Sequence, residues 1–278
     1  MNWPRITVVT PSYNQAQFLE RTLVSVHGQG YPDLEHLVLD GGSTDGSVEI
    51  IRRYADRLAW WRSERDAGQS AALREGFDRS TGEVLCWINS DDTLAPRALE
   101  RVGRIFSERP EVDLIYGGLR TIDAHDRRLF TQWAALDLGT LVYESAFTSQ
   151  PSSFWRRAIY QKAGGVDPAY RFAMDYDLFI RMLLAGARAL KIRPVLANYR
   201  IHPATKSSNL QQVCAGEVAR TIARHGLANG SDRARLLRKY GYRLLRFARD
   251  PLNLIAAVES RLRGHGPELV HDYPSAPP

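Results

Sequence analysis

Short aliphatic runs alternate with helically spaced apolar residues over the first 116 positions of this chain. Ile6-Thr7-Val8-Val9-Thr10, ending at Pro11, predicts a first strand. Leu19, Leu23 and Val26 then share one helical face, and Asn14 with Gln17 three residues on resembles a capping box. Glu35-His36-Leu37-Val38-Leu39 predicts a second strand, stopped by Asp40-Gly41-Gly42; Val48, Ile51, Tyr54, Ala55 and Leu58 mark a second helix. A third strand over 58–62, a helix over 71–77 and a buried strand over 84–88 follow. Pro96 fits the first position of a helix carrying Leu99, Val102 and Phe106, and 112–116 reads as a further strand. This alternation predicts an α/β fold with a doubly wound, mostly parallel sheet flanked by helices.

The pattern then changes. Leu119-Arg120-Thr121-Ile122 and Leu129-Phe130-Thr131-Gln132-Trp133 flank a polar turn and predict a hairpin. A helix follows Phe154-Trp155 and ends near Gly164-Gly165; another covers 175–184, with Leu178, Met182 and Ala185 on one side. A late strand spans 195–200, and from Gln211 the chain reads as a helical appendage. The Pro-rich, polar end, 266–278, reads as disordered. Trp60, Trp61 and Trp155 are assigned to the core, and there is no internal repeat.

Composition narrows the class. Hydrophobic residues make up 44% of 278 positions and charged residues 24%, ordinary for a soluble globular protein. No apolar run approaches the ~20 residues of a membrane helix, and the first residues lack a signal-peptide pattern. Two distant cysteines, Cys86 and Cys214, give neither a disulfide framework nor zinc spacing, so a cytoplasmic location is expected. The net charge of +6 suits an anionic partner. That excess concentrates in residues 217–263, which hold 11 Lys or Arg against 4 Asp or Glu. Three readings of this region stay open: a solvated helical face, an anionic membrane surface at which the protein would sit peripherally, and nucleic acid. No RNA-recognition signature or zinc module supports the last, and no nucleic-acid partner is expected.

Candidate chemistry lies where strands end. Trp87-Ile88-Asn89-Ser90-Asp91-Asp92 sets two adjacent carboxylates directly after a buried strand, where open α/β sheets bind ligands. Such a pair can hold a divalent cation, and the cation a diphosphate. Pro11-Ser12-Tyr13-Asn14, Asp40-Gly41-Gly42-Ser43-Thr44-Asp45-Gly46-Ser47 and Asp66-Ala67-Gly68-Gln69 follow the first three strands. Four polar loops on one sheet edge describe a cleft. Tyr13 can stack on a base, Asp40 can accept hydrogen bonds from a base or ribose, and the glycines admit close backbone approach. Each piece also has an ordinary structural explanation, Asp45 as a helix cap or Asp91-Asp92 as an acidic turn.

These motifs, with Met174-Asp175-Tyr176-Asp177-Leu178, occur in the order seen in family 2 glycosyltransferases of the GT-A fold, which the chain resembles over roughly residues 5–205. The resemblance implies a Rossmann-like GT-A catalytic domain over 1–208, with a nucleotide-binding half to 117 and an acceptor-binding half from 118. A basic helical region over 209–265 and the tail over 266–278 complete the division. It implies transfer of a sugar from a nucleotide-diphosphate donor (UDP, GDP or dTDP) to a hydroxyl of a glycan or lipid-linked acceptor, with inversion. By that resemblance Pro11, Tyr13, Asp40, Asp66, Gln69, Asn89 and Asp91 surround the nucleotide sugar. Asp91, Asp92 or both, with His202, hold Mn²⁺ or Mg²⁺. Asn89 stands where the family's Asp-x-Asp motif starts with a carboxylate. Asp175 matches the acidic position expected of the general base, although Met174 replaces the preceding acid. Asp177, two residues on, is expected to orient neighbours or cap the helix. The resemblance alone also implies that Gln150 faces the acceptor. The competing readings are a sugar nucleotidyltransferase, against which the lack of a basic Gly-rich loop after the first strand argues, and a nucleotide-sugar-binding protein without turnover.

Overall fold

A computed structural model describes residues 3–144, 149–205, 211–227 and 232–249. The chain order is β1 (Ile6–Ser12), α1 (Ala16–His27), β2 (Leu34–Asp40), α2 (Ser47–Arg53), β3 (Trp60–Ser63), α3 (Gln69–Arg79), β4 (Val84–Trp87), β5 (Thr93–Leu94), α4 (Ala98–Glu108), β6 (Leu114–Ile122), β7 (Arg128–Trp133), α5 (Leu138–Glu144), β8 (Ser153–Arg156), α6 (Arg157–Lys162), α7 (Met174–Leu184), β9 (Ala189–Arg200), α8 (Gln211–Arg224) and α9 (Asp232–Arg249). One sheet, ordered β3-β2-β1-β4-β8-β6-β9-β5 with β7 on β6, runs through the described residues. The boundary expected after residue 117 therefore falls inside β6. The boundary at 208/209 and the tail over 266–278 lie outside the described residues.

The first half is parallel, β3-β2-β1-β4, as the alternation predicts. Beyond β4 the sheet departs from the mostly parallel expectation, because β8 inserts antiparallel between β4 and β6. Four residues suffice for β8 because successive side chains face opposite ways. Fully buried Phe154 packs with Val84, Cys86 and α4 on one side, and fully buried Trp155 packs edge-on to Trp87 and Phe179 on the other. Such side chains each supply about 1.5–3 kcal/mol by leaving water, enough to hold so short a strand. Trp60 and Trp61 are half-buried against the core. Helices α1, α2 and α4 cover one face and α3 and α5 to α8 the other. The predicted hairpin forms between β6 and β7.

Two helix-start expectations are corrected. No capping box forms at α1: Asn14 adopts a left-handed φ of 51° and its amide serves the neighbouring loop, while Gln15 begins the helix without a side-chain cap. Pro96 precedes α4 rather than opening it, and Arg97 stands at the cap with φ 61°.

Among the described residues no helix is long and apolar enough to cross a membrane. A polar thread lies beneath the site edge: Thr10 Oγ1 meets His36 Nε2 at 3.0 Å, and His36 Nδ1 meets His27 Nε2 at 3.2 Å. Burial and then the neighbouring His27 push His36 well below the ordinary imidazole range, and burial followed by Arg57 lowers His27. A base with a lowered folded pKa supports the fold fully above its unfolded value of about 6.5 and loses that support as pH falls below it. Stability is therefore expected to decline below that pH with a slope of up to about 1.4 kcal/mol per pH unit per histidine. Urea unfolding across this range checks it, and the slope should flatten in His36→Gln.

Candidate active site

The loops after β1 and β2 are bonded to each other. The N–H of Asn14 donates to Ser43 Oγ at 2.8 Å, the N–H of Thr44 to Asn14 Oδ1 at 3.0 Å and the N–H of Gln15 to Ser47 Oγ at 3.2 Å. Asp45 caps α1 from outside, accepting the Ala16 N–H at 2.8 Å, and also accepts the Ser47 N–H and hydroxyl. Burial opposes its charge, but these bonds, the Ser47 hydroxyl foremost, outweigh it and hold the carboxyl below the usual range. Pro11 can sit in β1 because β4 pairs only as far as Val9, so no ladder partner needs the missing N–H.

Asp40 is fully buried. Its carboxylate accepts the N–H groups of Gly42 and Ser43 and the hydroxyls of Ser43 and Ser63, at 2.5–3.1 Å. It therefore builds the loop from beneath, a role the sequence reading did not give it. Above it three loops converge on Gly41. A Cβ at that position would lie 3.3 Å from the Tyr13 ring and 3.5 Å from the Asp66 carboxylate. Tyr13 is 62% exposed, free to lie against a planar ligand. Asp66 accepts the Gly68 N–H at 2.8 Å, and Arg62 approaches it at 3.5 Å. Gly68, at φ 109°, turns the chain into α3 in a conformation that favours glycine.

The Asn89–Asp92 turn separates the two carboxylates. Asp92 is fully buried and accepts the Arg200 N–H at 2.9 Å and the Asn89 amide at 3.2 Å. Burial, then the charge of Asp91, pushes it well above the usual carboxylate range. Both its oxygens, expected to face a metal, meet protein donors. Asp91 instead points to His202: Oδ2 lies 3.1 Å from Nε2. His202 is almost fully buried, its ring 4.6 Å from that of Phe18. Asp91 is held by Arg200, fully buried, whose guanidinium donates to the carbonyls of Asp91 (2.8 Å) and Asp123 (3.1 Å), pairs with Asp126 at 2.7 Å and lies over Phe18, the ring that also meets His202. Among the described residues no cluster of three His, Cys, Asp or Glu side chains forms a ready cage. Asp91 and His202 still offer an oxygen and a nitrogen donor side by side. That fits a hard divalent ion that takes its other ligands from phosphate and water.

The edge continues into the second half of the chain. Gln69 donates to Asn89 Oδ1 at 2.7 Å, and the next residue, Ser70, donates to the carbonyl of Tyr170. Residues 171–173 enter α7, in whose first turn stands half-buried Asp175. Burial, then Asp175 and Glu217, push the buried Cys214 thiol up. Asp177 is fully buried and pairs with Arg181 at 2.6 Å, so it orients a neighbour as expected. Gln150 is also buried, donating to the Trp87 carbonyl at 2.7 Å. Glu217 of α8, counted in the sequence only as part of the tail, accepts the N–H groups of Arg171, Phe172 and Ala173 at 2.7, 2.9 and 2.8 Å. It anchors the segment that leads into α7, up to the cap residue Ala173, from another helix.

The model of the family described as glycosyl transferase family 2 matches residues 7–165. The chain belongs to that family. A PGL/p-HBAD biosynthesis glycosyltransferase of Mycobacterium bovis is 32% identical over 203 residues, 70% of this chain and 77% of its own. An uncharacterised glycosyltransferase of Nostoc is 28% identical over 79% of this chain and 71% of its own. Similar folds occur in the Staphylococcus aureus TarS 1–349 complex with UDP-GlcNAc (TM-score 0.62, 16% identity, 97% of this chain and 82% of that one). A Pyrobaculum calidifontis mannosyltransferase with GDP-Man and Mn²⁺ is alike too (TM-score 0.62, 19% identity, 98% and 84%). The chain spans 43% of a longer TarS chain. In this family 2 glycosyltransferase Asp175, Arg200, His202 and Glu217 all lie beyond the matched span. Arg200 and Glu217 went unassigned in the sequence, though a lone Arg at a strand end and a lone Glu in a basic helix were the available signals.

Arg200→Met should remove about 2–4 kcal/mol of stability, because it leaves the carbonyls of Asp91 and Asp123 without their donor and takes away the cation beside Asp92 and Asp126. Urea unfolding measures it; a loss below about 1 kcal/mol would show that these bonds carry no weight. Glu217→Ala should cost about 1–3 kcal/mol by stripping three N–H groups of their acceptor, with Glu217→Gln recovering much of it.

Proposed function

We propose that this glycosyltransferase moves a sugar from a nucleoside-diphosphate donor to a hydroxyl of a glycan or lipid-linked acceptor, with inversion and with help from Mn²⁺ or Mg²⁺. The observation that carries the reading is the Asp91–His202 pair, fixed by Arg200 at the sheet edge where Tyr13, Gly41 and Asp66 meet. In this reading Tyr13 stacks on the base and Asp66 and Asn89 take ribose hydroxyls. Pro11, Gln69 and, from beneath, Asp40 hold the loops that shape the pocket. UDP-GlcNAc in TarS and GDP-Man in the mannosyltransferase make UDP and GDP the first donors to try, with dTDP beside them.

Asp91 and His202 would hold the cation, which when bound neutralises charge on the departing diphosphate. The chain's own part is the proton. Asp175 takes it from the acceptor hydroxyl as that oxygen bonds to C1; the C1–O bond to the diphosphate breaks on the opposite face. One displacement inverts the anomeric centre. Glu217 fixes the first turn that carries Asp175. The reading puts the protein in the cytoplasm, at the inner membrane face when the acceptor is lipid-linked.

A screen of UDP-, GDP- and dTDP-sugars with Mn²⁺, Mg²⁺ or EDTA, read by thermal shift and nucleotide release, tests the reading. One donor should stabilise the protein in a metal-dependent way. Asp175→Asn should then lower turnover by roughly 10²–10⁴-fold while donor affinity stays unchanged. Asp91→Asn and His202→Asn should weaken the metal-dependent part of the shift. Full turnover in Asp175→Asn would remove the base, and indifference to every donor would remove the transferase reading.

A further inference from the structure

We infer that α9 is an interfacial helix that docks this protein on an anionic lipid surface. Of the eight large apolar side chains that stand exposed among the described residues, five belong to α9: Leu236, Leu237, Tyr240, Leu244 and Leu245. Leu237 and Leu244 are 74% and 71% exposed. Positions 236, 240 and 244 follow one another at four-residue steps, and 237, 240 and 244 at three and four, so these four share one stripe of the helix. Arg233 stands in line with the stripe at its N-terminal end, and Lys239 and Arg243 border one side of it by the same spacing. The opposite side is already engaged. Tyr242 stacks on Tyr143 of α5 with ring centres 5.6 Å apart and closes against Gly139, and Arg238 donates to the Tyr143 hydroxyl at 2.7 Å. The exposed stripe therefore belongs to a helix held in place.

Charge decides what the stripe fits. The α9 sequence holds seven Lys or Arg against one Asp. A second copy laid stripe to stripe would bring two such borders together, and like charges would oppose it. A bilayer with anionic headgroups attracts the border and takes up the leucines, with Tyr240 suited to the headgroup level. The helix is tied to the acceptor half: α9 packs on α5, and the Tyr176 hydroxyl of α7 donates to the Leu141 carbonyl of α5 at 2.9 Å. Docking through α9 would bring that half, rather than the β3 edge, toward the lipid.

The test is sedimentation of the full chain with phosphatidylcholine vesicles, with and without phosphatidylglycerol, at low and high salt. Binding should require phosphatidylglycerol and weaken in high salt. The pair Leu237→Ser and Leu244→Ser should lower it at least about tenfold, given the apolar area removed. The pair should leave the circular dichroism spectrum and the donor-induced thermal shift unchanged. No binding to anionic vesicles, or equal binding by the double variant, would overturn the inference. So would a concentration-dependent dimer that the double variant abolishes, since the stripe would then belong to a second copy. The measurement uses neither donor nor acceptor, so its failure leaves the transferase reading standing, and the reverse holds.

Discussion

The candidate site depends on one buried cation. Arg200 closes β9 with its guanidinium wholly out of water, a position that costs several kcal/mol unless every bond is answered. Its guanidinium reaches separated stretches, Asp91 after β4 and Asp123 and Asp126 in the β6–β7 turn, while the backbone N–H of the same residue meets Asp92. The arginine thus draws three segments to one point. A lysine could not do this, since one ammonium cannot fork toward several acceptors in fixed directions. With Arg200 in place, Asp92 is pulled inward and Asp91 left beside His202. The difference between two adjacent, chemically identical residues follows from which one meets the Arg200 backbone.

That difference was not legible in the sequence. The pairing of Thr93 with Asn198 sets it, and no local pattern announces a two-residue strand. The parallel half was legible because β1, β2 and the unbroken apolar run at 84–88 are flanked by helices with clear faces. The antiparallel crossing was not: Ser153–Arg156 is too short to show a period, and its Phe-Trp pair reads equally as the start of a helix. The capping box failed for a related reason. Asn14 has the right residue type and spacing, but a tertiary partner, the Ser43–Thr44 loop, claims its backbone and amide. Asp40 was expected beside the base and ribose, and its burial beneath the loop could not be foreseen from an acid before two glycines.

The helices after β9 complete the catalytic fold rather than merely trailing from it. Cys214, Val218 and Ile222 of α8 join the same core as Trp155 and Leu178. Glu217 rises from that packed face to finish α7, so the placement of the helix bearing Asp175 depends on a helix some forty residues further along.

The mutual bonding of the first two loops has a consequence for how such a site can change over time. Asn14, Ser43, Thr44, Asp45 and Ser47 form a closed lattice in which each loop is the template of the other. An insertion in one strands partners in the other, so length variation, the commonest raw material of loop evolution, is penalised here. Divergence toward a different donor would have to proceed by side-chain replacement at positions that stand clear of the lattice. Tyr13, exposed and bonded by contact alone to Gly41, is the position where a lineage could explore new ligands while the frame beneath it stayed inherited.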